Sequence, residues 1–521
     1  MPEPTDRPDV IVILADDLGF SDLASYGGEI PTPNLDRLAA RGARMSSFTT
    51  TPRCSPTRAS LLTGRHSHEV GIGVLTRTVG YRGSLDPDVP TVAGLLADVG
   101  YLTSLTGKWH LSADVREPNE TWPTRRGFED FYGIMGGGTS YFNPKAFYRG
   151  EEPVDVPVDD AFHLTDALTD HALEVVDRAA REERPYFLYL AYTAPHWPLQ
   201  AHEADISPHR GRYAEGWDAA REARERRQAE LGLFPAPFPA SPRDPEEPAW
   251  EDAADRDWQQ RRMEVFAAQV TALDRGVGRL IDDLEARGRL DDTLVLFLSD
   301  NGAEAEELRV GRFLSPHVTP ATTRDGRDVA IGNDPSIEPG REDTFTSYGR
   351  PWANLSNTPF RRYKKWVHEG GIAAPLIASW PAGGIPQGSL VHAPAHVTDL
   401  LPTIAAATGT DAPSGIAGAD VLDVLRGGEA SDRPLYWEHI GNAAIRVGRY
   451  KLAREFGAPW ELYDLEVDRA ELHDLAAEHP ELVESLAAQW QEWADAHGVI
   501  PFAELQDLYE ARGLPRWQAQ S

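Results

Sequence analysis

Val10-Ile11-Val12-Ile13-Leu14-Ala15-Asp16-Asp17 is a run of six apolar residues that stops abruptly at two acids. An unbroken apolar stretch of this length predicts a strand buried on both faces of a parallel sheet, where no alternation with polar residues is needed. The design recurs at residues 186–192 (YFLYLAY) and 293–298 (TLVLFL), and in a more polar form at 101–106 (YLTSLT). Helical patterns lie between these runs, at residues 32–41, 91–99, 165–181 and 265–287. Strands alternating with helices predict an α/β fold, a large and mainly parallel mixed sheet flanked by helices.

Two segments break the alternation. Residues 203–258 are rich in Arg, Glu, Ala and Pro and read as a surface insertion, partly helical, with a Pro-rich loop from 234 to 248. Residues 303–356 are rich in Gly, Pro, Asp and Thr, and a loop this long is commonly a lid or a wall against substrate. Beyond Gly427-Gly428, short strand-like pieces at 435–438, 444–447, 450–452 and 461–463 precede an amphipathic helix at 480–497. The expected organisation is a main domain over residues 1–428, followed by a smaller α+β domain with a short antiparallel sheet over 429–521.

Composition narrows the function. A hydrophobic fraction of 41% with frequent aromatics indicates a packed globular chain. The formal charge of −31 argues against a nucleic-acid partner, which needs surplus Lys and Arg, and against anionic membranes. A small anionic substrate would need a local basic pocket within a repulsive overall field. One cysteine allows no intramolecular disulfide, and neither a signal peptide nor a membrane-length apolar run is visible. A cytoplasmic location is therefore expected, and the sequence leaves the oligomeric state open.

Each predicted strand ends in chemistry. Asp16-Asp17 close the first, and Ser299-Asp300-Asn301-Gly302 close residues 293–298. Gly107-Lys108-Trp109-His110 follow residues 101–106, and Thr193-Ala194-Pro195-His196 follow 186–192. Ligands of open parallel sheets bind beyond the carboxyl ends of the strands, so the four endings can converge on one site. Asp16, Asp17, Asp300 and Asn301 offer only hard oxygen donors, which suit Ca²⁺ or Mg²⁺ better than zinc. Read singly, these residues are ordinary helix caps and turns. Gathered without a cation, three carboxylates would repel and take up protons. In an extended segment Lys108 and His110 point one way and Trp109 the other. With His196 they form an expected positive cluster, suited to an oxyanion and to proton transfer, although lone histidines after strands are more often structural.

The segment Cys54-Ser55-Pro56-Thr57-Arg58-Ala59-Ser60-Leu61-Leu62-Thr63-Gly64 carries the remaining signal. Pro56 suits the first turn of a helix, which places Cys54 at an N-terminus where exposed N–H groups favour anions. Arg58, about one turn on, can reach back toward position 54. From its surroundings alone, Cys54 is either a thiolate nucleophile or a small buried hydrophobe.

Cys54-x-Pro56-x-Arg58 with Leu62-Thr63-Gly64 resembles the signature of type I sulfatases, and residues 100–110 (GYLTSLTGKWH) resemble that family's second signature. Asp16-Asp17, Ala194-Pro195-His196 and Asp300-Asn301-Gly302 stand in the family's order, with Thr57 where Ser is commonest. The resemblance implies an alkaline phosphatase-like fold and hydrolysis of aryl or alkyl sulfate esters. It also implies that a formylglycine-generating enzyme oxidises Cys54 to formylglycine during maturation. Carried over residue by residue, Asp16, Asp17, Asp300, Asn301 and modified Cys54 are the implied ligands of one Ca²⁺, with Mg²⁺ or Mn²⁺ as alternatives. Arg58 is implied to hold the formylglycine, Lys108 and Lys364 to bind sulfate, and Asp300 to help deprotonate the nucleophile. His196, aided by Lys364, is the implied acid for the leaving oxygen, and His110 the base that lets sulfate depart. Lys364 is preferred to Lys365 because it lies five positions before Glu369 of Glu369-Gly370-Gly371. The alternative on the same fold is a phosphonate monoester or phosphodiester hydrolase, against which Asn301 argues mildly, because those relatives often have His there. A non-catalytic anion-binding protein is the rival from another class. Phe345, Tyr348 and Trp352 are candidates for an apolar leaving-group pocket, or for local packing of the long segment.

Overall fold

In a computed structural model of the chain, residues 7–159, 161–312 and 314–514 are described. The four apolar runs are the strands Asp9–Asp16, Leu102–Gly107, Tyr186–Pro195 and Thr293–Ser299, each buried along its whole length. With Asp130–Ile134 they form five adjacent parallel strands, in the order Thr293–Ser299, Asp9–Asp16, Tyr186–Pro195, Leu102–Gly107, Asp130–Ile134. Leu376–Ser379 runs antiparallel beside Thr293–Ser299 and leads to Ala43–Met45 and Ser389–Val391. Phe147–Arg149 and Glu152–Pro153 complete the opposite edge of this ten-stranded mixed sheet.

The period of two along a strand divides the interior into two layers. Ile11, Ile13 and Ala15 face helices Leu164–Glu182 and Arg256–Ala286, whereas Val10, Val12 and Leu14 face Cys54–Thr63, Val92–Asp98 and Leu400–Thr408. Burial on both faces explains why these strands are unbroken apolar runs, each buried Ile or Leu contributing about 1.5–3 kcal/mol.

A separate antiparallel sheet comprises Leu435–His439, Asn442–Val447, Tyr450–Arg454 and Glu461–Asp464. Helix Pro480–Ala496 covers it with Leu486, Trp490 and Trp493. This sheet grips the main one near its chemistry. The Trp437 indole N–H donates to the Thr50 carbonyl at 3.0 Å, and the Asn442 amide donates to the Lys365 carbonyl at 3.0 Å.

Two elements depart from expectation for one reason. The helix predicted from residue 265 starts at Arg256, and the supposed surface insertion contains helix Gly216–Glu230 with Trp217, Arg221, Arg224 and Gln228 buried. In both, the buried face includes arginines whose charges are satisfied internally, so hydrophobic periodicity does not reveal it. Arg262 donates to the Ser347 carbonyl at 2.7 Å and pairs with Glu307 at 3.0 Å. Arg224 reaches Asp22 at 2.7 Å, Glu29 at 2.7 Å and the Ser21 hydroxyl at 3.0 Å. The insertion thereby clamps the loop that follows Asp17. Replacing Arg224 by Ala would leave the buried Asp22 and the partly buried Glu29 without their partner, so a loss of about 3–5 kcal/mol is expected in urea unfolding. Loss of the solvent-exposed Arg226 from the same helix should change stability by no more than about 0.5 kcal/mol.

Candidate active site

The carboxyl ends of the five parallel strands converge. Asp17 adopts a left-handed conformation, φ 66°, which Asp tolerates better than most residues. This turns its backbone N–H onto Asp300 Oδ1 at 3.1 Å, while the Asn301 side-chain amide donates to Asp17 Oδ1 at 2.7 Å. Gly302 permits a backbone-to-backbone approach, since a Cβ there would lie 1.8 Å from the Gly370 carbonyl oxygen. That contact fixes the Asp300-Asn301 turn against the segment carrying Lys364.

Three cations meet the three acids. Lys108 Nζ donates to both oxygens of Asp16 at 3.0 and 2.7 Å. Lys364 Nζ lies 2.8 Å from Asp17 and 2.7 Å from Glu304. Arg58, fully buried, donates to Asp300 at 2.8 Å and to the Lys108 carbonyl at 2.9 Å, and stands 3.6 Å from Asp16. Cys54 begins helix Cys54–Thr63, as Pro56 suggests, and its Sγ is 3.4 Å from His110 Nδ1. His196 Nε2 is 3.4 Å from Asp17. The Lys108–His110 segment is not simply extended, because His110 is left-handed at φ 56°. Trp109 nevertheless points away, donating its indole N–H to the Thr121 carbonyl at 3.0 Å. Asp16, Asp17, Cys54, Arg58, Lys108, His110, His196, Asp300, Asn301 and Lys364 thus lie in one cluster, and Lys365 pairs instead with Glu306 at 2.9 Å.

Burial and neighbouring charge set the protonation states. Burial, reinforced by Asp16, pushes the Asp300 carboxyl up to about 7. For Asp17 burial acts in the same direction but is outweighed by Lys364, His196 and Lys108, which hold it well below the usual carboxylate range. Burial also raises the Cys54 thiol against the pull of Lys108 and Lys364, so the unmodified side chain is a thiol rather than a thiolate. Burial lowers His196 to about 4 despite Asp17, and burial with help from Lys108 and Arg58 holds His110 well below the usual imidazole range. The expected positive cluster therefore consists of Lys108, Lys364 and Arg58, with both histidines neutral.

The donor set fits a hard divalent cation. Ligand atoms of Asp16, Cys54 and Asp300 lie within 4.8 Å of one another, as do those of Asp16, Asp17 and His196. Asn301 Oδ1 is buried with no protein donor, which costs about 1–3 kcal/mol unless a cation or other partner faces it.

Above this cluster lies a pocket of roughly 270 Å³ bordered by Cys54, His110, His196 and Lys364. A larger cavity of roughly 570 Å³, lined by Arg7, Asp9 and Arg289, sits at the amino end of the central strand and contains none of these groups. Glu306, His317 and Val318 show that part of the 303–356 segment is a wall of the catalytic-side pocket. Phe345, Tyr348 and Trp352 do not line it. They are packed against Trp197, Phe266 and the Tyr213–Trp217 pair, with ring centroids 4.5–5.9 Å apart. Sequence reasoning missed Glu304 and Gly136-Gly137-Gly138. The triple glycine directly after a strand was the available signal. A Cβ on Gly137 would lie 2.6 Å from His110 Cε1, and one on Gly138 3.0 Å from His196 Cε1.

The Sulfatase family matches residues 8–410, and the family described as N-sulphoglucosamine sulphohydrolase, C-terminal, matches residues 361–495. An uncharacterized sulfatase of Schizosaccharomyces pombe is 34% identical over 95% of this chain and 94% of its own. An arylsulfatase of Klebsiella aerogenes is 35% identical over 81% of this chain and 90% of its own. Among solved structures, Ps i-CgsB in complex with k-i-k-neocarrahexaose superposes with a TM-score of 0.70 at 26% identity, covering 98% of both chains.

The glycine run gives a direct check of the geometry. Gly137→Ala should displace the His110 ring and lower kcat about 10²-fold, the scale set by a misplacement near 1 Å, with Tm nearly unchanged. Gly136→Ala, whose added Cβ would meet nothing closer than 3.6 Å, should cost far less.

Proposed function

The chain belongs to the sulfatase family and is a sulfuric ester hydrolase, and from that premise we propose that it cleaves aryl or alkyl sulfate esters with a formylglycine made from Cys54 beside a divalent cation. The observation that carries this reading is the placement of Cys54. It heads a helix buried along its whole length, shares a ligand-sized neighbourhood with Asp16 and Asp300, and is kept protonated by burial. As a thiol it is a poor nucleophile, and its surroundings suit an oxygen-bearing side chain next to a cation.

Asp16, Asp17, Asp300 and Asn301 would hold the cation, Ca²⁺ by the hardness of the donors, with Mg²⁺ or Mn²⁺ as alternatives. Hydrated formylglycine supplies an oxygen nucleophile and a second hydroxyl for sulfate release, and the cation supplies positive charge for both. The protein's own groups do the rest. Arg58 fixes Asp300 and the Lys108 carbonyl, and so the floor beneath position 54. Lys108 and Lys364 present their ammonium groups to the sulfate oxygens. His196 Nδ1 faces the Trp197 carbonyl at 2.6 Å and must donate to it, which leaves Nε2 to exchange the proton of the leaving oxygen. The neighbouring Asp17 and the incoming sulfate favour the imidazolium. His110 Nδ1 faces position 54 and can accept the proton of the group there. A formylglycine-generating enzyme is the implied maturation partner. No helix among the described residues is long and apolar enough to cross a membrane.

Peptide mass analysis of residue 54, with turnover of an aryl sulfate and an aryl phosphodiester, tests the proposal. Converted, calcium-loaded protein should favour the sulfate, and Cys54→Ala should turn over neither. Converted protein that leaves every sulfate ester intact, or prefers the phosphodiester, contradicts it. His196→Ala should lower kcat about 10²–10⁴-fold for an alkyl sulfate and less for a nitrophenyl sulfate, whose leaving oxygen needs no proton. Chelation should lower Tm, and cation restored to about 100 times its Kd should return about 2.7 kcal/mol.

A further inference from the structure

Arg53, the residue before Cys54, lines the pocket with its side chain 11% exposed. It makes no helix-capping hydrogen bond. Its Nη2 lies 3.5 Å from Glu306, while Nε and Nη1 are buried without a hydrogen-bond partner. Buried donors left unused cost about 1–3 kcal/mol each, so a guanidinium in this state is poised for an acceptor. With one long contact to restrain it, the group can turn toward whatever occupies the pocket.

The rest of the lining indicates what that acceptor is. Among the described residues Glu306 is the one carboxylate bordering the pocket, and Lys365 already holds it at 2.9 Å. Lys364 is engaged by Asp17 and Glu304. Arg77 stands exposed at the mouth. On the adjacent turn Asp114 directs Oδ1 to the backbone N–H groups of residues 116 and 117, at 2.9 and 3.2 Å. His317 accepts from Arg116 at 2.9 Å. The remaining wall is formed by apolar Leu75, Val115, Trp197 and Val318, the glycines 136–138, and the uncharged hydroxyl residues Thr76 and Ser315. In a chain of formal charge −31, this pocket therefore offers apolar surface and cationic donors but, among the described residues, no carboxylate that is not already paired with a cation. Its roughly 270 Å³ lies just below the usual range of about 300–1,000 Å³ for ligand sites, leaving room for a single ring beside the sulfate.

We propose that the substrate is a single-ring sulfate ester bearing a second anionic group, which Arg53 binds and Arg77 attracts at the entrance. The inference rests on the reading that the Cys54 centre hydrolyses sulfate esters. Arg53 acts on the leaving group and takes no part in the proton transfers.

The test compares 3-carboxyphenyl sulfate with 3-carbamoylphenyl sulfate and 3-(trimethylammonio)phenyl sulfate on converted, calcium-loaded enzyme. The carbamoyl ester has the better leaving group of the first two, so intrinsic reactivity favours the opposite order from binding. The expected kcat/KM order is carboxy, carbamoyl, trimethylammonio, with the first preference roughly tenfold or more and expressed mainly in KM. In Arg53→Gln the carboxy-to-carbamoyl ratio should fall to about one, Arg53→Lys should recover part of it, and Arg77→Gln should lower it less. Because Arg53 adjoins the modified residue, each variant's formylglycine content is measured by mass and rates are expressed per converted site. A wild-type ratio at or below one, or a ratio unchanged in Arg53→Gln, overturns the inference while leaving sulfate hydrolysis intact. Failure to turn over any of the three esters overturns the proposed reaction itself.

Discussion

Three carboxylates buried side by side repel one another, and the architecture around them is organised by that repulsion. Asp16, Asp17 and Asp300 end neighbouring parallel strands, where the sheet gives them no choice but proximity. Lys108, Lys364 and Arg58 each take one of them, and Asp300 still titrates near neutrality because burial and Asp16 outweigh Arg58. The cations come from three different segments, which must therefore fold onto the strand ends together. A scaffold that forces acids together and answers with fixed positive groups is well suited to a doubly charged ion and an oxyanion.

The sheet itself was legible because most of its central strands, buried on both faces, are continuous apolar runs. Residues 9–16, 186–195 and 293–299 announce themselves this way, and the more polar 102–107 strand was recognisable mainly by company. The site was legible for a related reason. Strand termini in a parallel sheet point to one edge, so Asp16, Lys108, His196 and Asp300 could be assembled without knowing the order of the strands. Lys364 and the roles of the two histidines came from family resemblance, since a basic turn and lone histidines carry no distinguishing pattern of their own.

What escaped reading was packing done by polar groups. Arg224 and Arg262 are core residues by burial, but their charges mark them as surface in any hydrophobicity pattern. Glu304 and Glu306 lie in a loop whose composition predicts only irregularity. The aromatics of that loop were ambiguous for the opposite reason. Phe345, Tyr348 and Trp352 suit a pocket or a core equally well, and Trp197 together with Phe266 and Trp217 of helices Arg256–Ala286 and Gly216–Glu230 supplies the packing. The neutrality of His110 and His196 was equally out of reach, because it depends on how deeply each ring is buried.

The pieces that enclose position 54 are separated widely along the chain. Asp300 lies 242 residues beyond Arg58, and the Trp437 contact to Thr50 spans 387 residues. A growing polypeptide emerges from its amino end, so the segment from Cys54 to Gly64 leaves the ribosome long before the strands that will cover it. Until the Thr293–Ser299 strand and the Lys364 turn arrive, that segment lacks Asp300, Lys364 and the Trp437 contact that complete its enclosure. The same long-range closure that shields the finished centre thus defines an interval during synthesis when its key side chain can still be reached.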